Sequence, residues 1–450
     1  MAKKKEAATP EQRLQEALVP ESEWPYQLPE NWCWTYIRSG YDVTSSKRVH
    51  KNDWLSNGIP FYRTRELVKL STQGFVDNEL FISEDIYDSF KKDYGVPEQG
   101  DLLISGVGTI GVPYVVNSAK KFYFKDGNVI WFKDKRLFLP QYTYYLYKSQ
   151  FIDNQIHNMS SGTTVDTYTI INASSTKIPL PPLPEQQRIV ERIESLFAKL
   201  DEAKEKAQAA LDSFEPRKAA ILHKAFTGEL TAKWRREHGV GMERWKNAQL
   251  KTLIQLLSGQ DFSPDKYNAC GEGIPYITGA SNFEGSHVLI NRWTSQPTVI
   301  SKKEDVLLVC KGSGFGKTTI ADFDEAHIAR QIMALRVSNA IVQRFLLYFL
   351  QNSIEYIREN GKGLIPGISR KVVLDMEISL PSIVEQAEIV RILDSLLTKE
   401  QQAKEASEAV LEQIGITKKA ILARAFRGEL GTNNPTEESS VSLLKTILEK

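Results

Sequence analysis

Residues 218–230 read KAAILHKAFTGEL, and residues 418–430 read KKAILARAFRGEL. Nine of the thirteen positions agree at a separation of 200. Upstream, at the same separation, IPLPPLPEQQRIV (178–190) faces ISLPSIVEQAEIV (378–390), with seven of thirteen identical. A chain that repeats itself over so long a period is two copies of one unit, and its local motifs have to be judged in pairs. Working outward, the separation drifts. Gly58-Ile59-Pro60 answers Gly273-Ile274-Pro275 at 215, Asp101-Leu102-Leu103 answers Asp305-Val306-Leu307 at 204, and Tyr144-Tyr145-Leu146 answers Tyr348-Phe349-Leu350 at 204. The early part of each copy varies in length and the late part is held fixed. Such a duplication suits a molecule that addresses something twice, such as the two ends of a duplex site.

The fixed part reads as a long helix. Ile189, Ile193, Leu196, Leu200, Ala203, Ala207, Ala210 and Phe214 step by 4 and 3 in alternation, a heptad stripe held for nearly four heptads. The positions 200 later are Ile389, Leu393, Leu396, Glu400, Ala403, Ser407, Val410 and Ile414, a weaker stripe with two polar residues in its seam. Two stripes at matched register predict that the helices pair with each other, antiparallel, as a spacer between two domains. The alternative is that each merely packs on its own domain. Pro216 and Gly415 are expected to end or kink the two helices before a second short helical stretch.

The variable part reads as mixed α and β. Short apolar runs at 102–104, 114–116, 122–124 and 128–132 alternate with Gly, Asn and Lys, as strands and turns do. A helix opened by Pro140 is expected over about 140–156. The second copy predicts strands near 306–309 and 329–337 and a helix near 341–357. Thr9-Pro10-Glu11-Gln12 offers an N-cap, a first-position proline and a capping-box glutamine, predicting a short helix to about Leu18. The last residues, VSLLKTILEK, also read as helix, and 431–440 (GTNNPTEESS) as a flexible linker. The fold class is therefore α+β: two mixed domains in a tandem pseudo-repeat, joined by two long helices forming an antiparallel coiled coil. The expected divisions are a helical extension (1–23), a first domain (24–183), a central helical spacer (184–236), a second domain (237–383), a C-terminal helical spacer (384–430), and a linker with a helical tail (431–450).

At 450 residues the chain accommodates several domains, and its 41% hydrophobic and 25% charged content is that of a globular protein. No apolar run approaches the ~18–20 residues of a membrane span. MAKKKEAATPEQ lacks the apolar core of a signal peptide, so a cytoplasmic location is expected. Cys33, Cys270 and Cys310 lie far apart without a CxxC pair, which argues against a disulfide framework and a thiolate metal site. The net charge is +1. Residues 24–182 carry 17 Lys and Arg against 16 Asp and Glu, and 237–383 carry 16 against 15. Neither domain is basic as a whole, so tight binding of nucleic acid would call for a more basic partner.

Two motifs mislead. KGSGFGKT (311–318) followed by DEAH (324–327) imitates the nucleotide-binding motifs of a helicase. The P-loop pattern needs Gly where Lys311 stands. Only five residues separate Thr318 from Asp324, too few for a helix and a crossover to another strand. Gly106-x-Gly108-x-x-Gly111 imitates a dinucleotide fingerprint, but Val112-Pro113-Tyr114 continues as strand instead of opening a helix. Matched Gly loops at 105–111 and 312–316, each after an Asp-led strand, are more economically one loop used twice. It is either a plain turn or a loop whose backbone N–H groups meet phosphate. The six histidines are scattered without HExxH, and Pro181-Pro182 is followed by Leu183, not by the aromatic that amino-methyltransferases use.

LPPLPEQQRIVERI and KAAILHKAFTGELTAKWR closely resemble the central repeated region of the specificity subunits of type I restriction–modification systems. SLPSIVEQAEIVRIL and KKAILARAFRGEL resemble its C-terminal counterpart. LPENWCW (28–34), GIPFYRT (58–64) and DLLISGVGTIG (101–111) extend the resemblance over nearly the whole chain. It implies two target-recognition domains, each reading one half of a split target in double-stranded DNA. It also implies an antiparallel coiled coil between them and a circular arrangement with neighbouring termini. The subunit itself would carry no catalysis and no cofactor. Its implied partners are two modification subunits, which bind S-adenosylmethionine and methylate adenine, and restriction subunits, which use ATP and Mg²⁺.

DNA readers are expected on the loops after the Gly-Ile-Pro strands and in the Gly loops. The candidates are Arg63, Thr64, Arg65, Ser105, Gly106 and Thr109 in the first domain, and Thr278, Gly279, Ser281, Lys311, Ser313 and Lys317 in the second. Arg reads guanine bidentately, while Ser, Thr and backbone N–H groups suit phosphates. The expected coiled-coil seam is Ile189, Ile193, Leu196, Leu200, Ile389, Leu393, Leu396 and Val410. Two other classes of function stay open: a coiled-coil scaffold with two protein-binding domains, and a helicase-like ATPase or fused methyltransferase.

Overall fold

The computed structural model describes residues 9–117, 119–160, 167–285, 287–312, 314–361 and 367–449. They form two compact units. One runs to Lys206 and resumes at Val410; the other is Ala207–Ala409. Each combines one α+β domain with stretches of both long helical regions; the first unit is made of two separate pieces of chain and the second of one.

The same sheet is built twice. In the first unit the strands Tyr41–Thr44, Val129–Asp134, Leu102–Ser105 and Pro113–Val115 lie in that order, all antiparallel. In the second, Ile254–Ser258, Ile332–Val337, Val306–Val309 and Thr318–Ile320 repeat the order and the sense. The aspartate leading the third strand explains its repetition. Asp101 is buried and accepts from Trp131 Nε1 at 2.8 Å and Asp134 N at 3.0 Å. Asp305 is buried and meets Arg336 Nη2 at 2.8 Å and Lys302 N at 2.8 Å. A buried carboxylate is tolerated because donors surround it. The strand expected over 329–337 begins only at Ile332 and runs to Val337; 329–331 form the turn that joins it to a further strand, Glu325–Ile328. The helix expected over 140–156 is likewise two, Pro140–Tyr147 and Gln150–Ser160.

The faithful segments repeat because they solve one burial problem twice. Gln186 is fully buried; its amide donates to the carbonyls of Leu137 and Pro181 and accepts from Leu139 N. Gln386 does the same with Ala340, Pro381 and Val342. Beside them, Glu185 accepts from Trp32 Nε1 at 2.8 Å and Thr432 Oγ1 at 3.3 Å. Glu385 accepts from Thr231 Oγ1 and Arg235 Nη1, both at 2.8 Å, and Trp245 Nε1 at 3.1 Å. The chain just past each Gly-Glu-Leu thus caps the Glu-Gln that opens the other helical region.

Within each unit the two helical regions run antiparallel. In the first, Arg188 meets Glu437 at 2.8 Å while Asp201 meets Lys418. In the second, Arg217 meets Glu400 at 2.8 Å while Lys404 lies over Phe214. Glu400, polar in the expected seam, is therefore paired. Ile189, Ile193, Ile389 and Leu393 are fully buried, and Leu196, Leu200 and Leu396 are half-buried. Val410 is the exception, 43% exposed. A straight helix drifts ~20° per heptad from a 3.5-residue repeat. Three heptads past Ile389 the stripe has rotated off Val410, and its neighbour Leu411 is half-buried instead.

Helix Leu183–Asp212 breaks at Ser213 before Phe214–Phe226 resumes. Pro216 is the cause, because it has no N–H for the carbonyl of Asp212 and its ring crowds that turn. Gly415 causes no break: Ile383–Ala425 is one helix of 43 residues. Glycine keeps its N–H, and its cost is only ~1 kcal/mol relative to alanine. A Cβ at Gly415 meets nothing within 4 Å. Gly415→Ala should raise stability by roughly 0.5–1 kcal/mol, read as a higher melting temperature; a lowered one would contradict a helical Gly415.

The first helix is Pro10–Ala17, with the Thr9–Gln12 capping box formed. The tail helix Ser440–Leu448 packs against it, and Leu444 joins the core that holds Ala17. The intervening 431–440 stretch is a tied strap, not a free linker. Arg188 Nε donates to Thr432 O at 2.9 Å as its guanidinium grips Glu437, and Ser440 Oγ donates to Asn31 O at 2.9 Å.

Candidate nucleic-acid interface

In the first unit, Arg63 caps helix Thr64–Gln73, placing three candidate readers at one helix start. The buried carboxylate of Glu66 holds both arginines, Arg63 Nη2 at 2.7 Å and Arg65 Nη2 at 2.9 Å. Arg65 also reaches Glu79 at 2.9 Å. Burial pushes the Glu66 pKa up, but hydrogen bonds from Arg63 and then Arg65 outweigh it and hold the group below the usual carboxylate value. Both guanidinium forks are therefore fixed and partly occupied, with Arg65 the more exposed. Thr64 Oγ1 donates to Asn128 O at 3.2 Å.

The Gly loop is a hairpin between Leu102–Ser105 and Pro113–Val115. Ser105 is fully buried; its hydroxyl donates to Thr109 O and accepts from Val112 N at 2.8 Å. Gly106 N donates to Asn128 O and Gly106 O accepts from Tyr168 N, both at 2.9 Å. Ser105 and Gly106 hold the loop's shape and present nothing to a ligand. Thr109 is exposed on the loop.

The second unit repeats the hairpin between Val306–Val309 and Thr318–Ile320. KGSGFGKT is this loop, and DEAH opens the strand Glu325–Ile328, so neither segment has the strand–loop–helix geometry of a phosphate-binding motif. His327 is buried with Nε2 2.9 Å from Gln260 O, and burial lowers its pKa. The loop's closing glycines match: Gly111 (φ 79°) lies against Ile156, and Gly316 (φ 88°) against Ile354. Positive φ and close approach both call for glycine there, which is a structural reason for the look-alike motif. Lys311 and Lys317 are exposed, and Ser313 lies outside the described residues. Thr278 and Gly279 donate to Asn282 Oδ1 at 3.0 and 3.2 Å, while Ser281 is exposed. Lys317 also lines a cleft of about 500 Å³ with Lys218, Arg358 and the lone carboxylate Glu215, a basic surface with no sequence motif.

The model of the type I restriction modification DNA specificity domain matches residues 42–211 and again 242–413. The chain belongs to that family. Its relatives include the type I restriction enzyme StySPI specificity subunit of Salmonella potsdam, 25% identical over 71% of this chain and 72% of that protein. The putative MjaX specificity subunit of Methanocaldococcus jannaschii is 23% identical over 86% and 92%. A putative specificity subunit of Haemophilus influenzae is 36% identical, but this chain spans only 36% of its length. The fold is that of the HsdS subunit from Thermoanaerobacter tengcongensis (24% identity, TM-score 0.65, 91% of this chain and 100% of that one). It is also that of a chain solved in a type I R-M system (24% identity, TM-score 0.73, 90% and 100%).

As a specificity-family chain it carries the DNA specificity domain twice, and the two copies agree in framework and differ in loops. Sequence reading missed the carboxylates that hold Arg63 and Arg65, since a lone glutamate has no signature. Asn128 and Gln331, outside the candidates, immediately precede the long central strand of their sheet, 203 residues apart. That matched position was a signal available in the repeat.

Proposed function

We propose that the chain is the DNA-recognition subunit of a type I restriction–modification complex, with the domain of each unit reading one half of a bipartite target. One observation carries the reading: two DNA specificity domains repeat the same four-stranded sheet and the same buried Glu-Gln at the helix start, yet differ at the loops. The first presents Arg63, Arg65 and Thr109, and the second Ser281, Lys311 and Lys317. Phosphate contacts position a protein on DNA and base contacts specify sequence, so two loop sets specify two half-sites. The helices set the gap between the half-sites and dock two modification subunits. Catalysis belongs to the partners, with S-adenosylmethionine in the modification subunits and ATP and Mg²⁺ in the restriction subunits, in the cytoplasm. Among the described residues, no helix is long and apolar enough to cross a membrane.

The test is co-expression with the modification subunits, followed by mapping of methylated adenines in host DNA. A two-part motif with a gap of fixed length is expected. A continuous motif would reject two separate readers. Absence of methylation together with absence of duplex binding would favour a protein-binding scaffold.

A further inference from the structure

Most polar groups on the candidate loops are engaged within the protein, as the bonds of Ser105, Gly106, Thr278 and Gly279 show. Two side chains at matched positions are not. Asn128 directly precedes strand Val129–Asp134, and Gln331 directly precedes Ile332–Val337. The Asn128 carbonyl accepts from both loops at once, from Gly106 N at 2.9 Å and Thr64 Oγ1 at 3.2 Å. The Gln331 carbonyl accepts from Cys310 N at 2.8 Å. The Gln331 side chain lies between the equivalent loops of its own unit. A Cβ on Gly279 would come within 2.7 Å of its Oε1, and one on Gly312 within 3.8 Å. Glycine at 279 thus makes room for this amide. Among the described residues, neither amide group has a hydrogen-bond partner, although Asn128 is half-buried and Gln331 exposed.

We propose that Asn128 and Gln331 are the adenine-reading side chains of the two half-sites, Asn128 anchored through its backbone to both loops and Gln331 through its backbone to Cys310 at the start of the Gly loop. The inference rests on the DNA-recognition reading above. A carboxamide presents a donor and an acceptor side by side, which match adenine N7 and the N6 amino group in the major groove. Arginine and lysine only donate, and a hydroxyl carries its donor and acceptor on one atom, so neither spans the pair as a carboxamide does. Placement before the central strand fixes the backbone while the amide stays unclaimed, which is what a preset reader requires. The separate placement in two units predicts that each amide governs one half of the target and leaves the other half unchanged.

The test uses the full chain assembled with its modification subunits, selecting from a pool of randomised duplexes that is then sequenced. If the wild-type complex selects no bipartite motif, the DNA-recognition reading itself fails. Given such a motif, Gln331→Ala should lower the preference for adenine at one position of one half by roughly ten- to a hundred-fold. Asn128→Ala should do the same in the other half only. Gln331→Glu, which keeps the shape but accepts only, should redirect that position toward cytosine through its N4 amino group. Variants that melt like wild type and select an unchanged motif would overturn the proposal. So would relaxation confined to G·C positions, or spread equally over both halves.

Discussion

Adding one heptad to each helical region, after Lys206 and after Ala409, should lengthen the gap in the recognised target by about three base pairs. Both regions contribute residues to both units, and the boundaries between units fall at these two points. Seven helical residues add ~10.5 Å at 1.5 Å each, against 3.4 Å per base pair. Both helices have to be extended together. They run antiparallel within each unit, so a single insertion would force either Asp201–Lys418 or Arg217–Glu400 out of register. Affinity for the original target should fall at least ~100-fold, because one half-site is no longer reached and each lost base pair is worth ~1–3 kcal/mol. The new target should bind less tightly than wild type binds its own. Three base pairs also turn the duplex by about 100°, at 10–10.5 per turn, and the helices have to twist to follow. Duplexes differing only in gap length measure this directly. An undiminished preference for the original gap would sink the idea that helix length sets it.

The helices were legible in the sequence because their constraint is periodic and appears twice. The stripe from Ile189 to Phe214, its partner 200 residues later, and the Thr9 cap all lie where local pattern dictates structure. The errors share a cause, which is tertiary context overriding local composition. GTNNPTEESS has the makeup of a free linker, yet Arg188, 244 residues away, ties its Thr432. Gly415 reads as a breaker, yet it keeps its N–H and the helix Ile383–Ala425 runs through it. Val410 lies outside the seam because a 3.5-residue repeat drifts on a 3.6-residue helix. The candidate site was legible as loops and not as residues. Ser105 and Gly106 have the chemistry of phosphate contacts, but the fold uses it internally. Which polar atoms a hairpin satisfies depends on strands that are far away in sequence.

Replacing Glu385 and Glu185 by glutamine should have unequal outcomes, although the two residues occupy the same place in the repeat. Both are buried. Glu385 balances Arg235, itself only 7% exposed, and takes two further donors from Thr231 and Trp245. Glutamine there would face an NH₂ either toward a guanidinium or toward an indole N–H, and would leave Arg235 buried without its counter-charge. Removing one partner of a buried ion pair destabilises by ~3–5 kcal/mol. At ~2–4 °C per kcal/mol for a unit of this size, the melting temperature should fall by roughly 6–20 °C. Glu185 has neutral donors only, Trp32 and Thr432. Burial is the main cause of its raised pKa, with those two hydrogen bonds and Arg188 opposing it. The sign follows: a carboxyl whose pKa is higher folded than unfolded contributes stability below its unfolded pKa and loses it as pH rises through the folded one. At neutral pH, Glu185→Gln should therefore be near neutral or stabilising, its carbonyl toward Trp32 and its NH₂ toward the Thr432 oxygen. Its advantage over wild type should shrink as the pH is lowered through the carboxyl range. Thermal melts of the two variants at pH 7 and pH 4.5 decide it. Equal losses at pH 7 would show that the missing counterpart of Arg235 makes no difference to how the first unit carries its buried carboxylate.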